Sequence, residues 1–264
     1  MIEADAITYR AGNRELISRA SIAFEPGKLH LIIGPNGAGK STLIKLLSRL
    51  LRPQDGSIKY DGADIRYASE LDLAKRRAVL SQAVEVAFPL TVREVVMMGR
   101  YPHFGGRPSP TDEKIVDEMI EFFDIEDFVT RDYQTLSGGE RQRVNFSRVL
   151  GQVWRDENHA ADNSETRYLF LDEPLTFLDI RHQIDFMKKI KEFSAAADVV
   201  TVGVVHDLNV AAQFADQIVL MNYGTVVACG SPAEVLTTEN IVNVFGVKPN
   251  LLSMPNGDRY INFN

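Results

Sequence analysis

One octapeptide constrains this chain more than any other feature. Gly34-Pro35-Asn36-Gly37-Ala38-Gly39-Lys40-Ser41 fits G-x-x-x-x-G-K-[ST] at every defined position. Its surroundings are those the pattern needs. LHLIIG at 29–34 is apolar on both faces and ends in glycine, as a buried parallel strand does. Leu43, Leu46, Leu47 and Leu50 then recur at helical spacing, predicting a helix from near Ser41 that stops before Arg52-Pro53. In a strand–loop–helix turn, glycines let backbone N–H groups converge on phosphate oxygens, and the helix N-terminus adds a favourable dipole. Lys40 is placed to bridge β- and γ-phosphates, and the Ser41 hydroxyl to ligate Mg²⁺, with Thr42 beside it.

The rest of the chain fits an α/β reading. Short β-like runs AITY and SIAF open it, and a further strand is predicted at Ser57–Tyr60 before an Asp61-Gly62 turn. From about 88 to 153 the pattern is mostly helical. TVREVVMMG, with Thr91 as N-cap, is one helix, SPTDEKIVDEMIEFFDI a second and RQRVNFSRVLGQVW a third. RYPHFGGRPSP between the first two reads as a loop. Strand signals resume in RYLFLDEP and DVVTVGVVH, and QIVLMNYGTVVACG reads as a terminal hairpin turning at Tyr223-Gly224. RDENHAADNSET at 155–166 is polar without periodicity, an exposed loop. Strands alternating with helices, plus a helical block, predict an α/β core with a helical subdomain.

Composition narrows the function classes. The 264 residues are 45% hydrophobic and 25% charged, ordinary for a soluble globular protein. A net charge of −7 argues against generic nucleic-acid binding. The lone Cys229 rules out an intramolecular disulfide framework. No apolar run approaches the ~20 residues of a membrane span. MIEADAITYR has no apolar h-region, so no secretory signal is expected there. His30, His103, His159 and His182 show no metal-ligand spacing.

Two further motifs carry chemistry. In Tyr168-Leu169-Phe170-Leu171-Asp172-Glu173-Pro174 an apolar strand ends in carboxylates, at the sheet edge where ligands bind. Asp172 is expected to hold the Mg²⁺ shell and Glu173 to polarise the attacking water as general base. Leu136-Ser137-Gly138-Gly139-Glu140 places two glycines before a helix, presenting backbone donors to an anion.

The order of these motifs resembles the ATP-binding cassette family of transport ATPases, from about residue 2 to 250. The resemblance implies an α/β P-loop NTPase (RecA-like) core with an N-terminal antiparallel β region and an inserted α-helical subdomain. The whole of 1–264 then forms one ATP-binding domain, with the helical subdomain at about 88–153 and the core from 1–87 and 154–264. LSGGE matches the family signature, so Ser137, Gly138, Gly139 and Glu140 are expected to touch ATP across a dimer. Gln82, after AVLSQ, matches the glutamine that contacts Mg²⁺. Leu178-Asp179 matches the short acidic loop, and His206 the histidine that senses the γ-phosphate. The family often stacks an aromatic on adenine; Tyr9 is the nearest one here, although ungapped alignment falls near Ala11. ATP and Mg²⁺ are the implied ligands, and a homodimer sandwiching two ATP is the implied working form.

TVREVVMMGRYPHFG at 91–105 resembles the cassette subunits of bacterial importers for iron chelates, haem and vitamin B12. The polar insert before RYLFLDEP, together with QVW, is most similar to the haemin importers. Uptake of a ferric siderophore or cobalamin is the alternative. A soluble cassette ATPase on nucleic acid or ribosomes would instead show a long coiled coil, a second cassette or a basic face, and the sequence has none. Met97, Met98, Tyr101 and Phe104 form the expected docking patch for an integral membrane permease dimer. A periplasmic substrate-binding protein would act indirectly. The expected location is peripheral, on the cytoplasmic face of the bacterial inner membrane.

Overall fold

The computed structural model describes residues 1–81, 88–155, 165–253 and 259–263. Two antiparallel strands, β1 (Ile2–Ala11) and β2 (Arg14–Phe24), open the chain and are longer than the sequence runs suggest. β3 (Lys28–Ile33) leads through the glycine loop into α1 (Lys40–Leu47). The helix ends a turn short of its leucine pattern, and Leu50 is exposed rather than on a buried face. β4 (Asp55–Tyr60) and the two-residue β5 (Ala63–Asp64) complete an antiparallel sheet ordered β2-β1-β4-β5. α2 (Glu70–Arg76) then runs directly into β6 (Arg77–Leu80).

Three helices follow: α3 (Val92–Met97), α4 (Pro110–Phe122) and α5 (Gly138–Val153). Each starts from a capping box, on Thr91/Glu94, Ser109/Asp112 and Ser137/Glu140, so orphan N–H groups are satisfied locally. The segment expected as a loop after α3 begins instead as a 3₁₀ helix, Met98–His103, with Gly99 and Arg100 buried. The loop reading failed because Pro102 and the nearby glycines hide how closely this segment packs on α5.

β7 (Arg167–Asp172), α6 (Ile180–Ser194), β8 (Val199–Val204), α7 (Leu208–Phe214), β9 (Gln217–Asn222) and β10 (Thr225–Gly230) finish the core. The β9–β10 hairpin forms as expected, but it is not terminal. α8 (Pro232–Val235), α9 (Thr238–Phe245) and a second hairpin, β11 (Pro249–Ser253) with β12 (Arg259–Phe263), follow it. Residues 156–164 of the 155–166 insert and the segment 82–87, with Gln82, lie outside the described residues.

The central sheet is ordered β10-β9-β3-β8-β7-β6, parallel except for β10. Its strands are apolar on both faces, and alternation splits them between two cores. Leu169 and Leu171 pack with α3–α6, whereas Tyr168 and Phe170 pack with α1 and the antiparallel sheet. The adjacency β3-β8-β7 aligns three carboxyl ends, where α/β ligand sites form.

Candidate active site

The glycine loop is held from both sides. Gly34 has φ 151°, and a Cβ there would lie 2.2 Å from the Met221 carbonyl oxygen; at Gly39, φ 101°, it would lie 2.6 Å from that of Leu16. Only glycine fits either place. Gly224 N–H donates to the Ala38 carbonyl at 2.9 Å, tying the loop to the β9–β10 turn. Pro35 and Thr42 are half-buried, and Asn36 and Gly37 are exposed at the loop tip. Lys40 is buried and arches back across the loop, its Nζ donating to the carbonyls of Gly34 (2.8 Å) and Pro35 (3.0 Å). Burial pushes its ammonium pKa down, against the upward pull of Glu173 and Asp172.

Ser41 Oγ donates to Asp172 Oδ1 at 2.9 Å. Asp172 ends β7 and is buried. Burial raises its carboxyl pKa; the Ser41 bond opposes this, and repulsion from Glu173 adds to it. Glu173 has φ 53°, a left-handed kink immediately after the strand. Its Oε1 lies 2.9 Å from His206 Nε2, just beyond the end of β8. The loop after β3 and the ends of β7 and β8 thus bring Lys40, Ser41, Asp172, Glu173 and His206 together. Hydroxyl and carboxylate oxygens suit a hard cation. Among the described residues no group of three His, Cys, Asp or Glu side chains is arranged to hold a metal ion by itself. Mg²⁺ is commonly held by one or two protein ligands together with phosphate and water oxygens.

The signature residues form a second group. Ser137 caps α5, with its N–H donating to Glu140 Oε2 at 2.7 Å, and Glu140 also pairs with Arg131. Ser137, Gly139 and Glu140 line a cavity of about 190 Å³ with Phe177, Asp179 and His182. Gly138 lies beside Phe177, where a Cβ would meet the Phe177 Cβ at 3.7 Å. Asp179 caps α6, accepting from His182 N–H at 2.9 Å. Gln142 Nε2 donates to Pro174 O at 2.9 Å and so connects the two groups.

Tyr9 is half-buried on β1 against the core beneath the antiparallel sheet. Arg14 had not been singled out from the sequence, yet a Cβ at Gly37 would lie 3.7 Å from its guanidinium. Only the pairing of β1 with β2 brings it there, and no local pattern marks it. Of the docking residues, Tyr101 is 57% exposed and Phe104 half-buried, their rings edge to face at 5.6 Å. Met98 is half-buried, and Met97, also half-buried, packs on the core, so it offers less surface than the sequence suggests.

The ABC transporter family profile matches residues 17–176, from β2 through the Glu173 turn. The chain belongs to the ABC transporter family. ATP hydrolysis coupled to transport is the chemistry of this family. Relatives spanning nearly their whole length point the same way. The chain is 41% identical to the hemin import ATP-binding protein HmuV of Rhizobium meliloti, covering 98% of this chain and 96% of that protein. It is 36% identical to the protein of that name in Escherichia coli O157:H7, covering 97% and 96%. Among solved ABC structures, a metal-chelate type transporter in an inward-facing conformation superposes with a TM-score of 0.80 at 20% identity, covering 100% of this chain and 96% of that one. A dimeric ATP-binding cassette in a post-hydrolysis state with ADP and Pi superposes at 0.73 and 23%, covering 88% and 99%. These structural likenesses establish the shared fold.

Proposed function

We propose that this chain is the ATP-hydrolysing subunit of a bacterial importer for haem (haemin), working as a homodimer beneath a permease dimer fed by a periplasmic binding protein. It would sit peripherally on the cytoplasmic face of the inner membrane. No described helix is long and apolar enough to cross a membrane. Residues 1–264 act as one ATP-binding domain, with 88–153 as the helical subdomain. The observation that carries the ATPase reading is the convergence of the Ser41–Asp172 and Glu173–His206 pairs on one sheet edge. The cargo rests on the import proteins to which the chain is 36–41% identical.

In this reading Gly34–Thr42 cradle the phosphates, and Lys40 swings its ammonium from the loop carbonyls to the β- and γ-oxygens. Ser41, Asp172 and Gln82 would hold Mg²⁺, which neutralises phosphate charge. Glu173 accepts a proton from the attacking water, and His206 fixes the direction of that carboxylate. Ser137, Gly138, Gly139, Glu140 and Asp179 serve the partner chain's ATP, and Tyr9 flanks adenine. Met97, Met98, Tyr101 and Phe104 seat the permease.

Glu173→Gln keeps shape and removes the base. ATP turnover is expected to fall at least about 100-fold, on the order of 3 kcal/mol of barrier, with ATP affinity retained. Near-normal hydrolysis would remove Glu173 from its role. Uptake by proteoliposomes holding the full transporter, with haem competing against a ferric siderophore and cobalamin, tests the cargo.

A further inference from the structure

The two helices that open on the glycine loop and the signature motif are linked at their far ends through β6. α1 begins at Lys40 and closes on Ser48; α5 begins behind Ser137 and runs about 24 Å to Val153. Gln152 lies in the last turn of α5. Its side-chain amide has two N–H groups, and both are used: one reaches the Ala74 carbonyl at 2.8 Å, the other the Arg77 carbonyl at 3.0 Å. Ala74 and Arg77 mark the junction of α2 with β6, the strand that leads toward Gln82. The Arg77 guanidinium in turn donates to the Ser48 carbonyl at the end of α1. α1, β6 and α5 are thereby tied at one point.

The same point holds the segment that carries Tyr101 and Phe104. Gly99 sits on the α5 backbone so closely that a Cβ would lie 2.0 Å from the Arg148 carbonyl oxygen. Arg100 is buried, donating to Asp112 at 3.0 Å and to the Gly151 carbonyl at 2.5 Å. His103 Nε2 lies 2.8 Å from the carbonyl oxygen of Gln152 itself. A carbonyl only accepts, so the imidazole must donate through that nitrogen. Gln152 therefore joins the exposed segment through its backbone and the nucleotide core through its side chain.

We propose that Gln152 and His103 are positioning residues that couple the nucleotide site to the 98–104 segment. Motion of α1 against α5 reaches Gln152, and His103 passes it to Tyr101 and Phe104. The inference rests on the docking role given above to that segment, but its test does not need the permease.

Hydrogen exchange of the 98–104 amides in the isolated full chain reads the coupling directly. With Mg-ATP, exchange there is expected to slow by at least about fivefold, the lower end of ordinary coupling between sites. Gln152→Met keeps length and apolar packing but loses both donors. It should bind ATP normally and lose that response. His103→Ala should also lose it, and His103→Gln, which restores a donor, should regain part. In the assembled transporter, transport per ATP should fall at least about fivefold in Gln152→Met, while ATPase activity of the isolated chain persists. An unchanged response in folded Gln152→Met and His103→Ala, or no response to ATP in the wild-type chain, overturns the proposal. A normal exchange response in a chain that never assembles with a membrane partner would sink the transport reading and leave this coupling standing.

Discussion

At the residue scale, the sequence names Glu173 but not how it is aimed. A non-glycine residue in the left-handed region costs roughly 1–2 kcal/mol, and Glu173 adopts φ 53° directly after a strand buried from Tyr168 to Asp172. The kink turns its carboxylate onto His206, and no residue pattern announces such a backbone state. The histidines behave differently. His30 is wholly buried, with both ring nitrogens 2.8 Å from oxygen atoms of Gln217 and Glu25, a structural position. His103 is held below its usual 6.5 by burial and then by the Arg100 guanidinium. The folded chain therefore disfavours its protonation relative to the unfolded chain, which protonates it near pH 6.5. The unfolded state then binds more protons, so this residue's contribution favours folding above that pH and fades as pH falls through and below it. Thermal unfolding followed from pH 7.5 to 5.5 should show Tm dropping on acidification. The drop should be shallower in His103→Gln; parallel curves would assign the acid sensitivity elsewhere.

At the element scale, the exposed part of the 3₁₀ segment is small and aromatic, which fits a seat for a short helix of a membrane partner. Aromatic anchors supply much of an interface's energy, and Tyr101 and Phe104 already pack edge to face. Replacing both by Ala should weaken co-purification with the permease by about 2–4 kcal/mol. Basal ATP hydrolysis by the isolated chain should persist, because the nucleotide groups are untouched. Loss of hydrolysis in the folded double variant would return the pair to the core. This segment also shows where sequence reading ran out. The start of α3 was legible because a T-x-x-E box acts locally at Thr91, whereas α5 was read from Arg141 although it starts at Gly138 behind Ser137, because two glycines read as a break before the helix. The glycine loop and the acidic strand end were legible because phosphate and cation chemistry fixes residue type and spacing. The path of Met98–His103 was not, because it depends on Gly99 touching α5 across 49 residues of chain. The C-terminal hairpin was missed for a similar reason. Its anchor is a pair of bonds between Asn209 and the Ile261 backbone, 52 residues apart in the chain.

At the scale of the whole molecule, the site groups divide in a way that implicates a second copy. Lys40, Ser41, Asp172, Glu173 and His206 cluster around the phosphate loop, whereas Ser137, Gly139, Glu140 and Asp179 cluster around Phe177. Phe177 and Ile180 beside that second cluster are 74% and 75% exposed, an apolar edge of the kind that marks a partner surface. If each ATP is held by one chain's loop and the other chain's signature, two defects can complement. Ser137→Arg adds bulk and charge where the opposing phosphates would sit, so its homodimer should be inactive. Glu173→Gln lacks the base, so its homodimer should be inactive as well. In a heterodimer, the Ser137→Arg chain supplies an intact Glu173 and faces the intact Ser137 of the other chain. One site of two is complete. Random pairing makes roughly half the dimers mixed, each with half its sites intact, so about one quarter of wild-type ATP turnover should return. Differently tagged chains, purified in tandem so that only heterodimers remain, should bring this to about one half if the two sites fire independently. Inactivity of that purified heterodimer, with ATP still bound, would show that the sites are not shared between chains in this way.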